Sequence, residues 1–137
     1  MKRLEVNKED LKYNINKIKE KLNEKANIIA VVKANGMGLG LVQYTKFLIN
    51  EGINFFGVSN KDEAIILREN GIESDILMLS EVCDTDELTE LIKNDIILTI
   101  GNLEEKEKIE SIAKSLDKKV FAHLKIDTGF SRFRIYL

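Results

Sequence analysis

Hydrophobic and polar positions along this chain fall into blocks that switch between two periods. Leu11, Ile15, Ile18 and Leu22 lie on one helical stripe. Asn7 is placed to cap that helix at Lys8, with Asp10 in its first turn. Residues 27–32 then form a continuous apolar run of strand length, which suits a strand buried on both faces of a parallel sheet. Residues 41–50 read as a helix with Leu41, Tyr44, Phe47 and Leu48 on one side. The cycle repeats three times more. A strand over 53–58 precedes a helix capped by Asn60, carrying Ala64, Ile65 and Leu67 and ended by Gly71. A strand over 75–79 precedes a helix capped by Asp84 or Thr85, with Leu88, Leu91 and Ile92 inward. A strand over 95–100 precedes a helix from Asn102 with Ile109, Ile112, Ala113 and Leu116, and a fifth strand covers 120–126.

Repeated βα units with short connections predict an α/β fold with a parallel sheet and right-handed crossovers. Two architectures satisfy the pattern. An open doubly wound sheet would be complete in 137 residues, whereas a closed (β/α)8 barrel needs roughly 250.

Composition narrows the function classes. The chain is 44% hydrophobic and 32% charged, as expected of a soluble globular domain. Net charge is −2, and the signs are interspersed, so no nucleic-acid footprint is expected. No apolar run reaches the length of a membrane span, and the polar N-terminus does not read as a signal peptide. The one cysteine, Cys83, cannot form an internal disulfide, which predicts a reducing, cytoplasmic setting. Its acidic neighbours Glu81 and Asp84 predict an inert thiol. A single histidine, His123, argues against a zinc site or a histidine-based triad. The charged run over 104–110 reads as a solvated helix face.

Two stretches offer chemistry. Residues 31–40, VVKANGMGLG, place Lys33 where a buried strand runs out. In parallel α/β folds that end of the strands holds the active site, and a neutral lysine amine there attacks aldehydes. The alternating glycines let the backbone approach a ligand. A strand-end lysine before a flexible loop accounts for the same residues. Residues 123–132, HLKIDTGFSR, put His123, Lys125 and Asp127 on one face of the fifth strand. Three polar groups there need partners, so a paired charge network and a functional site are both open readings.

These two stretches resemble motifs of the alanine racemases, whose usual forms are VVKANAYGHG and HLKxDTGMxR. The intervening Asp62-Glu63-Ala64, Leu67-Arg68 and Gly71 fit as well. The resemblance covers nearly all of the chain and is specific for the superfamily. Related amino-acid racemases and a non-catalytic pyridoxal-phosphate-binding family share the barrel. The resemblance implies a partial (β/α)8 TIM-type barrel of about five parallel strands with intervening helices, residues 1–137 forming an incomplete N-terminal domain without the family's β-rich C-terminal domain. It implies pyridoxal 5'-phosphate as cofactor and a small amino-acid substrate. Lys33 would link covalently to the cofactor and act as a base on one face of the substrate. Arg132 would contact cofactor and substrate carboxylate, and Lys125, matching a lysine often carbamylated, would orient Arg132.

Departures from the family pattern are also present. Met37 stands for a tyrosine that contacts the cofactor phosphate, Leu39 for a histidine, and Arg134 for a glycine, while Ser131 occupies a variable position. The family's second base is a tyrosine of the partner subunit's C-terminal domain, and Tyr13, Tyr44 and Tyr136 do not match it. These departures predict weak cofactor affinity and no racemisation by this chain alone. The alternative is a non-catalytic partial barrel, or a pyridoxal-phosphate binder, that self-associates. Five strands of an eight-strand barrel leave open sheet edges and an uncovered inner face with residues such as Ile29, Val31, Phe55 and Leu79, so homo-oligomers are expected. The other outcome is a self-capped open sheet with the first helix over one face.

Overall fold

Each apolar run supplies a short strand and each amphipathic block a helix. The computed structural model describes residues 4–23 and 25–129. In chain order the elements are α1 (Lys8–Lys19), β1 (Ala30–Val31), α2 (Lys33–Met37), α3 (Leu41–Asn50), β2 (Phe55–Val58), α4 (Lys61–Glu69), β3 (Asp75–Met78), α5 (Thr85–Lys93), β4 (Leu98–Ile100), α6 (Leu103–Ser115) and β5 (Ala122–Leu124). The helix starts match the capping chemistry. Asn7, Asn60, Asp84 and Asn102 each accept a backbone N–H of the first turn through the side chain.

The strands lie side by side in chain order, all parallel. Ala30 is opposite Phe56, Phe56 opposite Ile76, and Thr99 opposite His123. β3 and β4 join through a parallel bridge between Leu77 and Ile97, with Met78 N donating to Ile97 O and Ile97 N to Ile76 O, each at 2.8 Å. A doubly wound sheet reverses its strand order at a switch point. This order, 1-2-3-4-5, never reverses, so the barrel-type alternative holds and the sheet is an open arc of one.

Alternation along each strand sorts the side chains. Val32, Phe56, Val58, Ile76, Met78 and Leu98 are buried against the helices, where they meet Leu48, Leu67, Leu88, Leu91 and Ile92. Burying each such side chain stabilises the fold by about 1.5–3 kcal/mol. The opposite, inner face is covered unevenly. Leu77 is buried at its centre, but Ile29 and Val31 near one edge and Phe121 near the other remain exposed. Phe55 is half-buried edge-on to the His123 ring, and Leu79 lies over Gly57.

Several expectations need correction. Regular pairing covers only part of the expected runs: β1 is Ala30–Val31 of 27–32, β2 Phe55–Val58 of 53–58, β3 Asp75–Met78 of 75–79, β4 Leu98–Ile100 of 95–100 and β5 Ala122–Leu124 of 120–126. α1 ends at Lys19, and of its anticipated stripe only Ile15 is buried, with Ile18 and Leu22 exposed. α1 does not cap the sheet. It meets α3 instead, where Val6 and Leu11 line a crevice with Tyr44 and Phe47, and Lys12 pairs with Glu51. The run 104–110 is not a wholly solvated face, since Glu105 is turned inward and buried. Arg132, with Ser131, Arg134 and Tyr136, lies outside the described residues.

Candidate functional site

Lys33 sits, half-buried, directly after the strand pairing that ends with Val32 N donating to Gly57 O at 2.9 Å. The segment after Lys33 is not a flexible glycine loop. Ala34, Asn35 and Gly36 hold left-handed angles near φ 54, 55 and 65, and Met37 has φ 54. Left-handed backbone costs about 1–2 kcal/mol for each residue that has a Cβ. Local bonds hold the turn. Gly36 N donates to Val32 O at 2.8 Å and Gly40 N to Asn35 O at 2.9 Å. The Asn35 side chain accepts Leu41 N at 3.0 Å, capping α3. Gly36 is required twice over, because of its positive φ and because a Cβ there would meet Leu41 N at 3.2 Å.

Glu63 fastens this turn to the sheet. It is buried in the first turn of α4, and its two carboxylate oxygens accept Asn35 N at 3.3 Å and Ser59 N at 3.2 Å. The loops after β1 and β2 are therefore tied to one carboxylate.

Across the mouth, β5 presents the second motif. Lys125 N donates to Ile100 O at 2.9 Å, extending the pairing past His123. His123 points into the inner face, where its ring stands edge-on to Phe55 with centroids 6.0 Å apart. Lys125 lies near the Glu81 carboxyl at the rim. Asp127 accepts Gly129 N at 2.8 Å. Burial pushes the Glu81 carboxyl above the ordinary carboxylate range, Glu105 adds to the shift, and the Lys125 ammonium opposes it. Glu105 accepts Gly101 N at 2.8 Å, while one buried oxygen on each of Glu81 and Glu105 has no hydrogen-bond partner. Gly101 makes room for Glu81, since a Cβ there would lie 2.0 Å from Glu81 Oε1.

Lys33 and Lys125 thus share the carboxyl-end rim but are not neighbours. Four strand-to-strand steps of about 4.8 Å separate them, roughly 19 Å along the arc. A cavity of about 550 Å³ that includes neither opens on the inner face and amino ends of the strands, lined by Phe55, Asp75, Ile97, Phe121 and His123. At that lower end Arg68 donates to four backbone carbonyls, those of Ile72, Ser74, Asn94 and Asp95, at 2.7–3.1 Å. Among the described residues no cluster of three or more metal-ligating side chains exists, and no helix is long and apolar enough to cross a membrane.

Comparison with known proteins decides the family. The model of the alanine racemase N-terminal domain matches residues 6–134. This chain belongs to that family. Alanine racemase 1 of Oceanobacillus iheyensis is 39% identical over 129 residues, which is 94% of this chain and 34% of that protein. The solved alanine racemase of Clostridium difficile 630 superposes with a TM-score of 0.87 at 39% identity, over 91% of this chain and 32% of that one. A histidine racemase from Leuconostoc mesenteroides superposes with a TM-score of 0.83 at 27% identity, over 92% of this chain and 33% of that one. The chain therefore spans about a third of the length of these relatives. The matched residues span the five parallel strands and both motif stretches, 31–40 and 123–132.

In the sequence, Glu63 and Arg68 stand out only as part of the family resemblance and Glu81 only as a neighbour of Cys83, and Glu105 reads as part of a solvated face; the pattern gives none of them a role in the site or its scaffold. For Glu63 and Glu105 a signal existed, the Asn-x-x-Glu spacing of a capping box after Asn60 and Asn102.

Proposed function

We propose that this chain provides the lysine-bearing part of a pyridoxal-phosphate-dependent amino-acid racemase, with alanine as the substrate. The supporting observation is the position of Lys33, half-buried at the carboxyl end of β1 and mounted on a left-handed turn held by Glu63 and Asn35. A primary amine held at the strand mouth suits an aldehyde-bearing cofactor. Exposed Met37 offers no hydrogen bond to a phosphate, so the fit is good at the aldehyde end and poor at the phosphate end.

When bound, the cofactor ring supplies the electron sink that makes the substrate Cα proton acidic. The protein's part is to hold and move protons. Lys33 receives or returns the Cα proton on one face. As the family resemblance implies, Lys125 would orient Arg132 and Arg132 would bind the substrate carboxylate, while the Glu81 carboxyl lies beside Lys125. Racemisation needs a second base on the opposite face. Tyr13 and Tyr44 sit on α1 and α3, in the helical layer outside the sheet. Loss of one base typically lowers rate by about 10²–10⁴-fold. With one such base among the described residues, this 137-residue segment on its own is expected to take up the cofactor weakly and to show no measurable racemisation of alanine.

An absorbance spectrum with added cofactor, followed by a D- and L-alanine interconversion assay on protein of verified mass, tests both parts. No spectral change on cofactor addition would remove the cofactor reading, and robust interconversion would remove the one-base reading. The exposed Ile29, Val31 and Phe121 and the edges of β1 and β5 favour self-association of this chain in a cytoplasmic setting. Sedimentation equilibrium at low micromolar concentration should show dimers or larger species, and a strictly monomeric folded protein would contradict that part.

A further inference from the structure

We infer that Glu63 is a positioning residue for Lys33. The inference rests on the proposed role of Lys33 and adds a residue to its machinery. The chain leaves β1 in an unfavourable left-handed conformation at Ala34 and Asn35, neither of which is glycine. Such a conformation persists only where the surroundings over-determine it. Within the turn, backbone bonds and the Asn35 side chain fix its far end on α3. The near end, next to Lys33, is fixed from outside the turn by Glu63 alone among the side-chain bonds described.

The geometry of Glu63 suits this use. Asn60 accepts Glu63 N at 2.9 Å, which sets the first turn of α4 and the direction of the carboxylate. Both oxygens then accept backbone N–H groups, one from Asn35 and one from Ser59, and the side chain is buried. Bonds from N–H donors to a carboxylate are about twice as strong as neutral ones. An ordinary capping-box glutamate reaches back only to its own helix start. Glu105 does so at the start of α6, where it accepts Gly101 N. Glu63 additionally accepts the backbone N–H of Asn35, 28 residues earlier in the chain and in the turn that follows Lys33. One carboxylate thus sets the distance between the strand end of β2 and the backbone of the lysine turn. A glutamine at this position retains one acceptor but turns an NH₂ donor toward the other N–H.

The test compares Glu63→Gln with Glu105→Gln in the full chain. Glu105→Gln perturbs the equivalent helix start but touches no residue near Lys33. Amide hydrogen exchange at Asn35 and Ser59 is read first, with the amides of β3 reporting that each variant is folded. Acylation of Lys33 by an amine-reactive ester, mapped by peptide mass, is read second. Glu63→Gln should speed exchange at Asn35 or Ser59 at least about tenfold and change the Lys33 acylation rate several-fold, with β3 protection retained. Glu105→Gln should leave all three as in the wild type. Equal effects from the two variants, or unchanged Asn35 exchange and Lys33 reactivity in Glu63→Gln, would overturn the inference. If Glu63→Gln does not fold, Glu63→Asp, which shortens the reach while keeping the charge, is read by the same criteria. A parallel trapping of pyridoxal phosphate with borohydride separates the two ideas. Absence of wild-type label on Lys33 defeats the cofactor reading, while the exchange and acylation results still decide the role of Glu63.

Discussion

Replacing Arg68 by alanine should cost this protein about 3 kcal/mol of stability, although Arg68 lies at the end of the sheet remote from Lys33. Its guanidinium ties the turn after α4, through Ile72 and Ser74, to the turn after α5, through Asn94 and Asp95. Hydrogen bonds from a charged donor are worth about 1.5–3 kcal/mol each, so four independent bonds would exceed the stability of many whole domains. They are not independent. The carbonyls lie in surface turns where water can replace part of the loss, and burial of the guanidinium, which lowers its pKa, is itself a cost. About 3 kcal/mol remains as a central figure. With an unfolding entropy near 2.1 cal/mol/K per residue over 137 residues, that corresponds to a fall in Tm of roughly 10 °C. Arg68→Lys should recover less than half of it, because an ammonium cannot reach both turns with a planar fork. Urea melts of the two variants against the wild type supply the measurement. A loss under about 0.5 kcal/mol for Arg68→Ala, or a lysine variant equal to the wild type, would refute the view of Arg68 as a clamp.

Two further predictions concern the rim. The Glu81 carboxyl is held above its ordinary value of 4.5, so the folded protein binds its proton more tightly than the unfolded chain does. Its contribution is full below that ordinary value and is lost as pH rises through the raised folded value. Urea midpoints measured from about pH 4 to pH 8 should show this decline in the wild type and a weaker one in Glu81→Gln, and identical profiles would contradict the assignment. Gly36→Ala should destabilise by about 1–3 kcal/mol, combining the positive φ with a close approach to Leu41, and should raise amide exchange at Asn35. A variant as stable as the wild type would show that the left-handed turn is not obligatory.

The helices and the serial strands were legible because two physical signals agreed: apolar periodicity along each element and a capping side chain at its start. Asn7, Asn60, Asp84 and Asn102 all cap where the spacing predicts. The choice between barrel arc and doubly wound sheet was not legible from pattern, because it depends on which strands pair, a long-range property. The lysine turn was misjudged for a related reason. Glycines at 36, 38 and 40 suggest freedom, yet the strained residues Ala34 and Asn35 are not glycines and are held by Glu63 from another unit. Arg68 gave no local signal of its four carbonyl partners, which come from two turns separated in sequence. The charge pattern over 104–110 masked Glu105, which is buried and accepts Gly101 N, although its capping-box spacing after Asn102 was legible.

The most direct test of the functional account is reductive trapping of pyridoxal phosphate on the folded 137-residue protein with borohydride, followed by peptide mapping. The account predicts that label concentrates on Lys33, the lysine mounted at the end of β1, and that Lys33→Ala abolishes that specific label without unfolding the protein. Label distributed over surface lysines such as Lys12, Lys106 and Lys119 in proportion to their exposure would contradict it.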